Sequence, residues 1–276
     1  MSVIIPARDA GRTLGACLDA VAAQMAAPAH EVIVVDDASV DHTPQLAQSH
    51  PAVTRVIAGP GHGSYAARNA AAALATGELL AFTDSDCVPD SGWLAAGVHA
   101  IERGADLVGG EVVAVVADGP PNAWERYDRA VYLRQDELVR ERFAATANLF
   151  VRREVVDDLG GFDASLRSGG DYEFGQRATG AGYRLVYAPE ASVVHRPRAS
   201  LRETWRLHRR LGAGWAALAR KGARPALRND AALRISLGSV IDRAAASHDA
   251  MRRREIAHVH AVAIAARWTG RLTGRA

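Results

Sequence analysis

Short apolar runs alternate with amphipathic stretches through the N-terminal part of the chain. Val3–Ile5 reads as a strand, and the next segment carries a helical stripe of Leu14, Cys17, Leu18, Val21 and Met25. Val32–Val35 is a second strand, followed by a polar turn and a short helix near Pro44–Ser49, and Val53–Ile57 is a third strand. The Gly-rich turn Gly59–Gly63 opens an alanine-rich helix with Ser64 as its N-cap. Leu79–Thr83 is a fourth strand, and Asp84-Ser85-Asp86 stands at its C-terminal end. Strands separated by helices at this spacing predict a Rossmann-like α/β fold, with a mainly parallel sheet and helices on both faces. Ligands of such sheets bind beyond the carboxyl ends of the strands, where the acidic clusters fall.

The pattern beyond is less regular. Asp106–Ala117 reads as strand, Pro120-Pro121 breaks it, and Trp124–Arg142 reads as helix. Asn148–Val151 is a strand, Gly160-Gly161 a turn, Tyr172–Ala181 a helix, and Arg184–Tyr187 and Ser192–Val194 are short strands. After Pro197 the chain turns arginine-rich and helical, with a break at Pro225.

Composition narrows the class. The chain has 276 residues, 49% apolar and 23% charged, which excludes wholesale disorder. Its apolar runs, Val112–Ala117 among them, stop at six residues, far below the roughly 20 that span a bilayer. The expectation is no secretory leader and, with only Cys17 and Cys87, no disulfide framework, hence a reduced, cytoplasmic protein. The net charge of +2 hides a polarity: residues 1–195 sum to −11 and residues 196–276 to +13. An acidic body suits cations, and a basic tail faces something anionic.

Asp84 and Asp86, two residues apart at a strand end, can reach one hard divalent cation whose other ligands are phosphate oxygens, so magnesium or manganese suits them better than zinc. An isolated Asp-x-Asp is usually a solvated turn, but Asp36-Asp37 ends a parallel neighbour. Two acidic strand ends on one rim repel each other unless a ligand or cation intervenes. Asp37 could accept from a nucleotide base, or the segment could be a simple turn. Gly61, Gly63, Arg68 and Asn69 match neither the P-loop nor the dinucleotide pattern, although glycine admits a phosphate and arginine can pair with a diphosphate.

Seven segments in order resemble family 2 glycosyltransferases: Ser-Val-Ile-Ile-Pro-Ala-Arg (2–8), Val-Val-Asp-Asp-Ala-Ser-Val-Asp-His-Thr (34–43), Ala-Ala-Arg-Asn-Ala (66–70), Phe-Thr-Asp-Ser-Asp (82–86), Gly-Gly-Phe-Asp (160–163), Gly-Gly-Asp-Tyr-Glu-Phe (169–174) and Tyr-Ala-Pro-Glu-Ala-Ser-Val-Val-His (187–195). The resemblance implies a GT-A fold over residues 1–197, with a nucleotide-sugar half (1–90) and an acceptor half (91–197), and leaves 198–276 as a helical basic extension. It implies transfer from a nucleoside-diphosphate sugar, UDP-sugars being the commonest donors, to an acceptor hydroxyl with inversion and a divalent metal (Mn2+ or Mg2+). The acceptor would be a glycan, a lipid-linked group or a small natural product.

Carried over residue by residue, the resemblance places Pro6, Ala7, Arg8, Asp36 and Asp37 around the nucleoside and Arg68 at the donor phosphates. Asp84, Ser85 and Asp86 form the donor and metal motif, and His195 completes the metal or pyrophosphate site. Asp171 matches the general base, a role compatible with capping the helix that follows it. The glutamate that precedes this base in the family is replaced by Gly170, so its acceptor contact is missing or falls to Glu173. Asn148 resembles the acceptor-side loop, or is simply a polar strand start.

One absence shapes the expectation. The Gln-x-x-Arg-Trp motif of processive synthases is missing, since Gln176-Arg177 is followed by Ala178-Thr179. Non-processive transfer of one sugar or a few fits. The rival readings are a nucleotidyltransferase of related fold, only faintly matched by Arg8 and Gly11, and a catalytically silent donor-binding protein. In the tail, Leu201, Trp205, His208, Leu211, Trp215 and Leu218 form a stripe flanked by Arg202, Arg206, Arg209 and Arg210. It suits either a helix packed as a lid on the body or an interfacial helix against anionic lipid at the inner membrane face, and tryptophan at helical spacing favours packing. Nucleic acid is not expected, because aromatic platforms and a recognition fold are absent.

Overall fold

Strands that read as unbroken apolar runs are those buried on both faces of a parallel sheet, and β1 (Ser2–Ala7) and β2 (Glu31–Asp36) are of that kind. In the computed structural model, which describes residues 1–116, 119–222, 240 and 250–274, they lie in an eight-stranded sheet of order β3-β2-β1-β4-β7-β6-β8-β5. β3 is Arg55–Ala58 and β4 is Leu79–Thr83. These four strands are parallel, with Ile4 opposite Ile33 on one side and Phe82 on the other. They are linked through α1 (Leu14–Ala22), α2 (Thr43–Ser49) and α3 (Ser64–Leu74). The order reverses between β1 and β4, so the loops leaving those two strands diverge and open a crevice at their carboxyl ends.

Beyond β4 the sheet turns antiparallel. β7 (Asn148–Arg152) pairs antiparallel with β4 and with β6 (Leu107–Ala114), and β5 (Cys87–Pro89) pairs antiparallel with β8 (Leu185–His195). The sheet is therefore mixed, with β3, β2, β1 and β4 as its parallel run. α4 (Trp93–Glu102), α6 (Gln135–Arg140), α7 (Arg153–Leu159) and α8 (Gly170–Gly180) complete this unit, which comprises Met1–Val113, Arg134–Ser165 and Gly170–His195.

Several expectations are corrected. Met25 is 64% exposed, since α1 ends at Ala22 before the stripe reaches it. Ser64 is the first helical residue of α3, and Gly63, at φ 98°, takes the cap position. The single helix expected over Trp124–Arg142 is two, α5 (Ala123–Val131) and α6, with Leu133 between them at φ 53°. A capping box between Asn122 and Glu125 starts α5. The two short strands near the end of the body are one, β8, while β5, α4 and α7 lie in segments that carry no sequence prediction. β6 ends at Ala114, and Ala117 lies outside the described residues.

The second unit comprises Ala114–Leu133, Leu166–Gly169 and Arg196–Ala276. Its core gathers Tyr127 of α5 with Val240 and with Ile256, Val259 and Ala263 of the C-terminal helix (Ala250–Thr273). α9 (Leu201–Arg220), capped by Ser200, buries Thr204, Leu207, His208, Gly212, Ala213, Gly214 and Leu218. Only His208 and Leu218 of the expected stripe are buried; Leu201 is exposed, and Trp205, Leu211 and Trp215 are half-buried. Small residues displace the tryptophans because the C-terminal helix comes close: a Cβ on Gly212 would collide with the Arg267 carbonyl, and one on Gly270 with that of Arg209. Among the described residues no helix is long and apolar enough to cross a membrane. The break expected at Pro225 lies outside the described residues.

Candidate active site

The crevice between β1 and β4 is where the sequence-derived donor residues meet. Pro6 and Ala7 end β1 and are buried, while Arg8 emerges exposed. The loops after β1 and β2 are laced together: Ser39 Oγ accepts from the Asp9 N–H (2.9 Å), and Asp9 Oδ1 accepts from the Val40 N–H (2.8 Å). Asp9 and Ala38 hold φ of 49° and 63°, left-handed values that non-glycine residues adopt only where the surroundings over-determine them.

Asp36 is half-buried and receives one long bond, 3.4 Å from the Ser39 N–H. Asp37 is buried, and its two oxygens are engaged by backbone donors, the Gly61 N–H at 2.7 Å and the Gly63 N–H at 2.8 Å. Both glycines have positive φ, and this alone lets the turn aim successive N–H groups at one carboxylate. Asp37 thus organises the Gly-rich turn.

At the end of β4, Asp84 forms an ion pair with the buried Arg68 guanidinium. Arg68 therefore holds the Asp84 carboxylate directly. Its Nε has no partner. Ser85 lies between the two carboxylates, half-buried. The Asp86 side chain is half open to solvent, and His195 Nε2 lies 3.5 Å from its Oδ2. Strand pairing makes this contact, since Cys87 stands opposite His195 in β5 and β8. Burial, then the Asp86 and Asp84 charges, pushes the Cys17 thiol up to about 12, and burial followed by the same carboxylates raises Cys87 well above the usual thiol range. Both stay neutral packing residues.

Among the described residues no group of three or more His, Cys, Asp or Glu side chains is placed to hold a metal ion. Asp86 with His195, and Asp84 behind them on Arg68, make an open edge of carboxylate and imidazole donors. That set fits a hard divalent cation whose remaining ligands come from outside the chain.

One face of α3 gathers three motifs. Tyr65, Arg68 and Asn69 stand at the spacing that brings helical side chains together. Arg68 reaches Asp84, Asn69 exchanges two bonds with the Phe162 backbone (2.7 and 2.9 Å), and the Tyr65 hydroxyl donates to Asp171 Oδ1 (3.1 Å). Phe162 packs against Tyr65, Phe82 and Phe174. Asp171 lies in the first turn of α8. Tyr65 carries no sequence-derived role; the signal that could have found it is its place one turn before Arg68.

The acceptor residues fare differently. Asn148 is fully buried: its amide donates to the Glu111 (2.7 Å) and Ala191 (2.8 Å) carbonyls, and its oxygen accepts from the Trp93 indole (2.8 Å). It cross-links the sheet and has nothing to offer an acceptor. Glu173 is held bidentate by Arg177, which also binds the Leu159 and Gly161 carbonyls, so it secures a turn. Gly170 itself is buried under the Tyr65 ring.

Comparison with known proteins identifies the family and the fold. Residues 2–160 match the family model described as glycosyl transferase family 2. The glycosyltransferase AglE of Haloferax volcanii is 40% identical over 205 residues, which are 72% of this chain and 67% of that protein. A pre-mycofactocin glycosyltransferase of Mycobacterium tuberculosis is 32% identical over 181 residues, 62% of this chain but only 38% of its own length. Among solved structures, a Pyrobaculum calidifontis mannosyltransferase in complex with GDP-Man and Mn2+ superposes with a TM-score of 0.61 at 22% identity, covering 99% of this chain and 84% of that one. S. aureus TarS in complex with UDP gives 0.57 at 20% identity, covering 99% and 90%. With the order reversal between β1 and β4 and the Asp84–Asp86 strand end both inside the matched residues, the chain belongs to glycosyl transferase family 2, with a GT-A fold.

Proposed function

We propose that the chain transfers a single sugar from a nucleoside-diphosphate sugar, a UDP-sugar in the first instance, to an acceptor hydroxyl with inversion. The observation that carries this reading is the Asp171 carboxylate: Oδ1 accepts from the Tyr65 hydroxyl and the Tyr172 N–H, while Oδ2 receives neither bond. A carboxylate fixed in that way can take the proton of a hydroxyl on its second oxygen as that hydroxyl attacks the anomeric carbon. Pro6, Ala7 and Arg8 would border the nucleoside, and Asp37 would shape the Gly-rich turn beneath it. Asp86 and His195, with Asp84 held by Arg68, would hold the divalent cation. When bound, that cation supplies positive charge against the charge building on the departing diphosphate. The acceptor proposed is a glycan, a lipid-linked group or a small natural product, and the exposed Trp268 and Leu272 near Arg271 would give the basic tail its peripheral membrane contact. The P. calidifontis structure holds a guanosine nucleotide and the TarS structure a uridine one.

The test begins with thermal shift against UDP, GDP and their sugars in the presence of manganese, since selective binding stabilises the fold by RT ln(1 + [L]/Kd). Nucleoside-diphosphate release from the selected donor is then followed with alkyl glycosides as acceptors. Asp171→Asn keeps the shape but not the basicity, so release should fall by about 10²–10⁴-fold with donor binding unchanged. Retained release would remove Asp171 from the reaction.

A further inference from the structure

Tyr65 lies between Asp171 and Arg68, two charged groups of the crevice. Its ring is 6% exposed and is pinned on three sides. Phe162 stacks on it at 5.9 Å, the Arg68 guanidinium stands 5.8 Å from its centroid, and a Cβ added to Gly170 would come within 2.7 Å of Cδ2 and Cε2. Real Cβ atoms do not approach that closely, so no larger residue fits at position 170 while the ring stays in place. Gly170 and Tyr65 are two parts of one packing solution.

We infer that Tyr65 is the positioning residue of Asp171, and that Gly170 is small to admit its ring. A carboxylate is free to turn about its Cβ–Cγ bond and to present either oxygen. Here the Tyr65 hydroxyl (3.1 Å) and the Tyr172 N–H (3.0 Å) both end on Oδ1. The Tyr172 donor is adjacent in sequence and moves with Asp171, so it cannot fix the group against the rest of the site. Tyr65 comes from a different element, 106 residues earlier, and ties the carboxylate to the helix that also fixes Asp84 and Phe162. The crowded ring has few other orientations, so ordering the hydroxyl costs little further entropy. Oδ2 is left as the oxygen presented to an incoming hydroxyl. This inference rests on the reading of Asp171 as the base.

The test uses Tyr65→Phe, which keeps the ring and removes only the hydroxyl, in the nucleoside-diphosphate release assay with alkyl glycosides. Loss of orientation at a base costs about 10–100-fold in kcat. The KM for acceptor, and the thermal shift with UDP and manganese, should stay within about threefold, a split that a general packing defect would not give. In the Asp171→Asn background the same substitution should add no further loss, because Tyr65 acts only through Asp171. Wild-type kcat in Tyr65→Phe, an equal loss in the Asp171→Asn background, or a collapsed melting transition would each overturn the inference. Failure of the base reading has a different signature, namely Asp171→Asn turning over like wild type.

Discussion

Asp37, just beyond β2, and Asp86, just beyond β4, end two strands of the same parallel sheet, yet the first is buried and the second has half its side chain open. Asp37 receives two N–H groups of the Gly-rich turn, one on each oxygen. Asp86 faces His195, while its neighbour Asp84 is neutralised by Arg68. A carboxylate met on each oxygen by a backbone donor shapes a loop, while one on a solvent-facing strand end keeps half its side chain exposed, so local donor supply separates two residues of one type.

The sharpest way to break this contrast is Asp86→Ala. Loss of a cation's charge stabilisation is worth several kcal/mol, so nucleoside-diphosphate release should fall by about 10³-fold. The melting temperature should hold, since the side chain is half exposed. Unchanged turnover in excess chelator would end the metal reading. Asp37→Asn should do the reverse. The amide accepts through one oxygen only and leaves a glycine N–H unpaired, which costs about 1–3 kcal/mol of stability. Denaturant midpoints should drop accordingly, and donor affinity should weaken about tenfold as the turn loosens. A variant with intact stability would show that the turn holds itself.

Glu31, at the opposite end of β2, supplies the smallest and cleanest control. Burial raises its pKa, but donors from Ser2 and Thr76 outweigh this and bring it from the ordinary 4.5 down to about 2. Because the folded value is depressed, its stabilisation is complete above pH 4.5 and is lost as pH falls through about 2. Glu31→Gln should therefore flatten the acid limb of melting temperature against pH in that window, with neutral-pH turnover unaffected. An acid limb identical to wild type would mean that the Ser2 and Thr76 bonds contribute nothing.

Much of this was legible in the residues. The parallel strands, the acidic strand ends and the helix behind Asp171 follow from apolar periodicity, Gly-rich turns and ordered motifs, which act over a few residues and persist in any fold. Fates that depend on distant partners were not. Asn148 reads equally as acceptor-side residue or polar strand start until β6 and β8 close around its amide, and Glu173 carries no fixed partner until Arg177 meets it alongside the Leu159 turn. In α9 the tryptophans mark the strongest apolar stripe, but a neighbouring helix selects the glycine and alanine face, because close approach of two backbones rewards absent side chains more than large ones.

The sequence by itself determined the family, the strands of the parallel half and which carboxylates stand at strand ends. Only the tertiary structure decided which of them are consumed: Asp37 by its glycine turn, Asp84 by Arg68, and one oxygen of Asp171 by Tyr65. The reason is range. Periodicity and turn chemistry are local, whereas a buried polar group is defined by a partner that the chain brings back from far away, and a pattern of neighbours carries no record of it.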